Sequence, residues 1–150
     1  MDLFGPEAYT PDGEYNRPYV AKIVFAEASG LAGLNALVHP AVERHSRAWH
    51  EEQTALGYPY TLKEAALMIE SGSHKWLDYL IVVTAPEALR IRRVMRRDGL
   101  TEAEVRARMA SQMPESEKVK LADFVIFNDG MQMLIPQVWR IHRLLVEKAE

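Results

Sequence analysis

The chain has 150 residues, 48% of them hydrophobic and 26% charged, with a net charge of −3. That is long enough for one domain with a real core, or for a small core with appended subdomains, and the balance is ordinary for a globular protein. No apolar run is long enough to span a bilayer, Met1–Pro6 shows no basic stretch followed by an apolar one, and the absence of cysteine removes disulfides, thiolate metal sites and cysteine nucleophiles together. A cytoplasmic home is the expectation.

The first residues, to about Asn16, are turn-rich, with Gly5-Pro6 and then Thr10-Pro11-Asp12-Gly13. Pro18 reads as the first position of a helix with Asn16 or Arg17 near its cap, and Val20, Ile23 and Val24 recur at helical spacing. Gly30 and Gly33 are expected to loosen the chain, and His39-Pro40 to start a second long helix. Gly57 and Pro59 stop it. Tyr60-Thr61-Leu62 then opens a short strand running towards Leu67 and Met68, although Lys63 and Glu64 are poor strand formers.

Tyr79-Leu80-Ile81-Val82-Val83 is a better strand, an unbroken apolar run of the kind buried on both faces of a parallel sheet. Thr84, Pro86 and Glu87 mark the start of a helix that ends near Asp98-Gly99. Thr101 and Glu104 repeat the capping pattern for another, carrying Val105, Met109 and Met113 before Pro114 stops it. Phe124-Val125-Ile126-Phe127 is a third strand, closed by Asn128-Asp129-Gly130. A last amphipathic helix holds Leu134, Val138, Ile141 and Leu145 on one face. Strands alternating with helices indicate an α/β fold with a parallel sheet, in which the first 57 residues form a helical subdomain or insertion.

In such a sheet, ligands bind beyond the carboxyl ends of the strands, which points to Glu70-Ser71-Gly72, Thr84-Ala85-Pro86 and Asn128-Asp129-Gly130. Any parallel strand must also end in a turn, so position alone does not choose among them. Arg90, Arg92, Arg93, Arg96, Arg97, Arg106 and Arg108 crowd into a short stretch. A solvated helix face partnered by Glu87, Glu102 and Glu104 would explain them, and so would an anion site, since a guanidinium fork matches phosphate oxygens. Aromatic residues are not interleaved with them as a nucleic-acid surface would require. There is no Gly-x-Ser-x-Gly elbow, and the five histidines form no paired zinc-helix motif.

Several runs match one family in order. Arg96-Arg97-Asp98-Gly99-Leu100-Thr101, Arg108, Gln112-Met113-Pro114 with Glu117-Lys118, and Ala122-Asp123-x-Val125-Ile126-x-Asn128-x-Gly130 resemble the C-terminal half of dephospho-CoA kinases. Upstream, Glu64–Gly72 is similar to the family's strand ending in Pro-Leu-Leu-Phe-Glu, with Ala66 in place of the proline. Val38-His39-Pro40 is similar to its Leu-His-Pro, and Phe4-Gly5, Asp12-Gly13, Arg17 and Val24-Phe25 fall where its helical region has similar residues.

The resemblance implies a P-loop kinase-like parallel sheet with helical substrate and lid regions, lacking here its first two strands. Residues 1–57 would be the helical region receiving the CoA moiety, 58–97 and 121–150 the partial nucleotide-binding core, and 98–120 a mobile lid. It implies ATP and dephospho-CoA as substrates and Mg²⁺ as cofactor, with neither nucleic acid nor membrane as partner. His39 and Glu70 would handle dephospho-CoA; Arg97, Arg108 and Gln112 would lie on or beside the lid, facing nucleotide phosphates; Asn128 and Gly130 would lie beside the adenine. The reaction implied is transfer of the ATP γ-phosphoryl group to the ribose 3′-hydroxyl.

The sequence departs from the family in one respect. It contains no Gly-x-x-x-x-Gly-Lys-Ser/Thr loop, the element whose backbone amides, lysine and hydroxyl cradle phosphates and Mg²⁺, nor the acidic motif that resembles the family's general base. The expectation is therefore an N-terminally truncated kinase sequence, inactive alone. A non-catalytic CoA-ligand-binding module or subunit, and a related nucleotide kinase, are the alternatives.

Overall fold

The computed structural model describes residues 4–26 and 28–149. The chain divides into two compact units, Met1–Tyr58 and Pro59–Glu150.

In the first unit, a 3-10 turn at Pro6–Ala8 leads into a tight loop closed by an antiparallel bridge between Tyr9 and Tyr15. Asn16 joins loop to helix. Its amide nitrogen donates to Glu7 O (3.1 Å) while its Oδ1 accepts from Tyr19 N–H (3.3 Å), capping helix α1, Arg17–Ala26, as its sequence position predicted. Ala8, Val20 and Val24 form the small core, with Phe4, Tyr19 and Leu34 against it. Helix α2 runs unbroken over Ala28–Ala55 with Pro40 inside it. This corrects the expectation that Gly30 and Gly33 loosen the chain and that a helix begins at His39-Pro40. Gly30 serves packing instead: a Cβ there would lie 3.2 Å from Val24 Cα and 3.3 Å from Ile23 O, so its lack of side chain lets α1 and α2 approach closely. Pro40 removes one helical hydrogen bond without ending the helix. Gly57, at φ +83°, follows its end as expected.

The second unit is built on two parallel strands, β1 (Ile81–Thr84) and β2 (Phe124–Phe127), in register Ile81 with Phe124 through Thr84 with Phe127. Asp123 sets that register: its Oδ2 accepts from Leu80 N–H at 2.7 Å, and Leu80 O accepts from the N–H groups of Asp123 and Phe124. The strand expected from Tyr60 towards Met68 does not form. Residues 60–65 are irregular and 66–72 are turns. No strand among the described residues lies on the far side of β1 to pair with this segment, and Lys63 and Glu64 give it little strand preference of its own. Met68 and Ile69 are nonetheless buried, packed with Leu80 and flanked by Leu77, Val82 and Met113. The run at 79–83 has apolar cover on both faces, Leu80 and Val82 with Met68 and Ile69 on one and Ile81 with Ile126 on the other, but its end is open, with Val83 58% exposed, so burial along the whole run is corrected.

Helix α3, Glu87–Asp98, starts behind Pro86 without the expected Thr84–Glu87 capping bonds and ends on Gly99 at φ +70°. Helix α4, Glu102–Ala110, has the complete capping box that Thr101 and Glu104 implied. It ends before Met113, which lies in the turn leading to α5, Glu115–Leu121. Helix α6, Leu134–Ala149, seats Ile141 and Leu145 on Ile126 of β2, with Tyr60, Ile81 and Phe124 alongside. The other half of its expected apolar face, Leu134 and Val138, is exposed. Among the described residues no helix is long and apolar enough to cross a membrane.

Candidate functional site

The carboxyl ends of β1 and β2 lie side by side, and the chain leaving each is pinned by arginines of α3. Beyond β2, Asn128 extends the ladder by donating its N–H to Thr84 O at 2.8 Å. Arg93 then grips the same residue, with Nη1 donating to Asn128 O (2.9 Å) and Nη2 to Asn128 Oδ1 (3.2 Å). Guanidinium nitrogens only donate, so the amide oxygen must face Arg93 and the amide NH₂ is turned elsewhere. Asp129 accepts from the N–H groups of Gln132 and Met131 at 2.8 Å each, which hold its carboxyl below the usual range, and Gly130 completes the turn at φ +84°. Beyond β1, Arg90 Nε donates to Ala85 O and its Nη1 to Glu115 Oε2, both at 3.0 Å.

A groove of about 500 Å³ opens beside that brace, and Arg90, Arg106, Gln112, Met113, Glu115 and Lys118 are among the residues lining it. Arg106 spans Glu87 (2.7 Å) and Glu102 (2.8 Å). One oxygen of Glu115, Oε1, is buried without a hydrogen-bond partner. On the groove's other wall Lys118 Nζ meets Glu70 Oε1 at 2.7 Å, and Met113 N–H donates to the same oxygen at 3.1 Å. Burial pushes the Glu70 carboxyl up, but the bond from Lys118 and the backbone donors outweigh it, and the net displacement is downward.

Arg97 and Arg108, from α3 and α4, converge on Asp98. Arg97 forms a fork with it (2.6 and 3.0 Å) and Arg108 lies 3.6 Å away. The Arg97 bond holds the Asp98 carboxyl below its usual range and raises Arg97 in return. Both arginine side chains keep most of their surface in solvent, 74% and 64%. A pair of guanidinium groups from two helices, sharing one carboxylate and still exposed, can accept anionic oxygens by exchanging that partner.

The residues singled out from sequence thus fall into groups. Arg97 and Arg108 meet at Asp98; Gln112 lines the groove beside Met113, which reaches Glu70; Asn128 and Gly130 form the turn after β2. His39 is exposed on α2, in the first unit. Sequence reasoning missed the bracing residues Arg90, Arg93 and Lys118. The first two were visible only as members of an arginine cluster, and Lys118 only as part of a motif without a role. Among the described residues no group of three or more His, Asp or Glu could hold a metal ion, so these side chains do not fit a protein-built Mg²⁺ cage.

Comparison with known proteins agrees with the motifs. A family model described as dephospho-CoA kinase matches residues 1–133. The dephospho-CoA kinase of Bacteroides fragilis (strain YCH46) is 35% identical over 147 residues, covering 98% of this chain and 70% of the relative. A crystal structure of TT1252 from Thermus thermophilus superposes with a TM-score of 0.79 at 37% identity, over 95% of this chain and 72% of that one. The dephospho-CoA kinase from Campylobacter jejuni shares the fold, with a TM-score of 0.66 at 24% identity over 99% of this chain and 73% of that one. A match over most of the sequence, in a fold whose parallel strands end beside exposed arginines, places this α/β chain among ATP-dependent transferases: it belongs to the dephospho-CoA kinase family.

Proposed function

We propose that this chain carries acceptor and lid parts of the reaction that transfers the ATP γ-phosphoryl group to the ribose 3′-hydroxyl of dephospho-CoA. The observation that carries this reading is the convergence of Arg97 and Arg108 on Asp98, with both guanidinium groups still open to solvent. Phosphoryl transfer is catalysed mainly by positioning and by cations aimed at oxygens that gain charge in the transition state. Arginines on two packed helices supply such cations and, by closing over the phosphates, exclude water that would hydrolyse ATP. Gln112 adds an amide at the groove wall, and the Asn128–Gly130 turn offers an amide NH₂ and open backbone to a nucleotide base. His39, exposed on α2, and Glu70 are proposed on the side of dephospho-CoA. Mg²⁺ would neutralise phosphate charge when bound.

A second reading is that these residues bind dephospho-CoA as a non-catalytic module, through the groove beside Gln112. Incubating the purified chain with ATP, Mg²⁺ and dephospho-CoA, with products separated by chromatography and binding followed by calorimetry, distinguishes the two. Formation of CoA supports the kinase; saturable binding of dephospho-CoA without CoA supports the module. Transfer to a nucleoside monophosphate in place of dephospho-CoA overturns both.

A further inference from the structure

Most ion pairs among the described residues are exposed, and several join neighbouring turns of one helix: Arg47 with Glu43, Arg106 with Glu102, Lys120 with Glu117. Solvent screening makes such pairs weak. Lys118 and Glu70 differ in both respects. Their side chains are only 14% and 23% exposed, and they join α5 to the turn following Met68 and Ile69. The same Glu70 oxygen also accepts Met113 N–H, and the Met113 side chain packs on the cluster of Met68, Ile69 and Leu80. At the start of α5, Arg90 holds Glu115. The link between α4 and α5 is therefore held at two points, and Gln112 lies within it on the groove wall.

We propose that Lys118 is a positioning residue, which anchors Glu70 as a fixed post and so holds residues 111–114, with Gln112, at the groove. Glu70 then acts as a structural acceptor for Lys118 and Met113, with its second carboxylate oxygen left for dephospho-CoA. Glu70 sits in an exposed turn, but its side chain keeps only 23% of its surface in solvent, so without its ammonium partner the carboxylate would be left with one protein donor, the Met113 N–H. Its hold on Met113 would weaken, and the turn would open. An exposed lysine could not do this, because water would replace it at little cost. The functional meaning of the turn rests on reading the groove as part of the kinase site; the anchoring itself does not.

Amide hydrogen exchange and pH titration of the ¹⁵N-labelled chain test the anchoring without requiring catalysis. Lys118→Met and Glu70→Gln should each speed exchange at Gln112 and Met113 by about tenfold, the effect of losing a charge-assisted hydrogen bond. Their combination should be no worse than the more severe single change. Lys118→Arg should restore most of the protection. The Met113 amide shift should follow Glu70 protonation, with a midpoint that rises in Lys118→Met and vanishes in Glu70→Gln. The Glu104 amide, held by its own capping box, should be unchanged in each. If Lys118→Met loses protection at Glu104 as well, the milder Lys118→Arg and Glu70→Gln carry the test. Unchanged exchange at Met113, or additive effects of the two changes, would overturn the proposal. Absence of any dephospho-CoA binding would overturn the reading of the groove and leave the exchange result standing.

Discussion

The side-chain amide of Gln137 pairs with both backbone groups of Phe127: Oε1 accepts the Phe127 N–H at 2.8 Å and Nε2 donates to Phe127 O at 3.1 Å. This is the pairing a neighbouring strand would make, so a glutamine of α6 closes the outer edge of β2 at that point. Gln137→Ala should cost about 0.5–1 kcal/mol, towards the low end because Phe127 is half exposed and water can take the vacated groups. Gln137→Glu, which keeps the acceptor and loses the donor, should fall between. Urea denaturation of the three proteins checks the order.

The capping box at the start of α4 has a defined weight. Thr101 Oγ1 accepts Glu104 N–H and the Glu104 carboxylate accepts Thr101 N–H in return. Thr101→Ala should cost about 1 kcal/mol, whereas Thr101→Ser should be close to neutral. Melting temperatures measured side by side decide it.

Helix α6 stays on the sheet through Ile141, 7% exposed against Ile126. Ile141→Ala should destabilise the chain by about 2–4 kcal/mol, from lost burial and the cavity left behind. Ile135→Ala, at a site 79% exposed on the same helix, should change stability by less than about 0.5 kcal/mol.

The lowered Glu70 carboxyl predicts a pH dependence of definite sign. Its folded pKa lies below the ordinary carboxylate value of 4.5, so its stabilising contribution is complete above that value and is lost as pH falls through the folded pKa. Asp98, Glu104 and Asp129 are displaced in the same direction, so the whole chain should lose stability on acidification. Subtracting the profile of Glu70→Gln from that of the natural chain isolates the part due to Glu70. That difference should shrink as pH drops below 4.5.

Arg97→Ala and Arg108→Ala should each weaken ATP binding by about tenfold, the loss of one charge-assisted contact, and should lessen its salt dependence. Neither should lower the melting temperature appreciably, because both side chains are mostly exposed. Fluorescence titration at two salt concentrations reads both effects.

What could be read from sequence was what local chemistry decides. The run 79–83, the apolar Phe124–Phe127, the Thr101 capping box and the Asn16 cap all appeared close to where they were expected. Their signals lie in adjacent residues. What failed depended on partners far along the chain. The segment from Tyr60 towards Met68 needed a neighbouring strand to become one. Gly30 reads locally as a breaker, whereas its place is set by Val24 lying against it. The arginine cluster was legible as a cluster, but not its division of labour. Arg90 and Arg93 brace Ala85, Glu115 and Asn128, while Arg97 and Arg108 remain open. The post made by Glu70 and Lys118 was invisible, since nothing in either residue's neighbourhood names the other.

Calorimetric titration of the purified chain with dephospho-CoA and, separately, with AMP tests the central claim most directly. Saturable binding of dephospho-CoA, at least about tenfold tighter than AMP, is the result predicted here. Binding of AMP as tight or tighter, or no binding of dephospho-CoA, would contradict it.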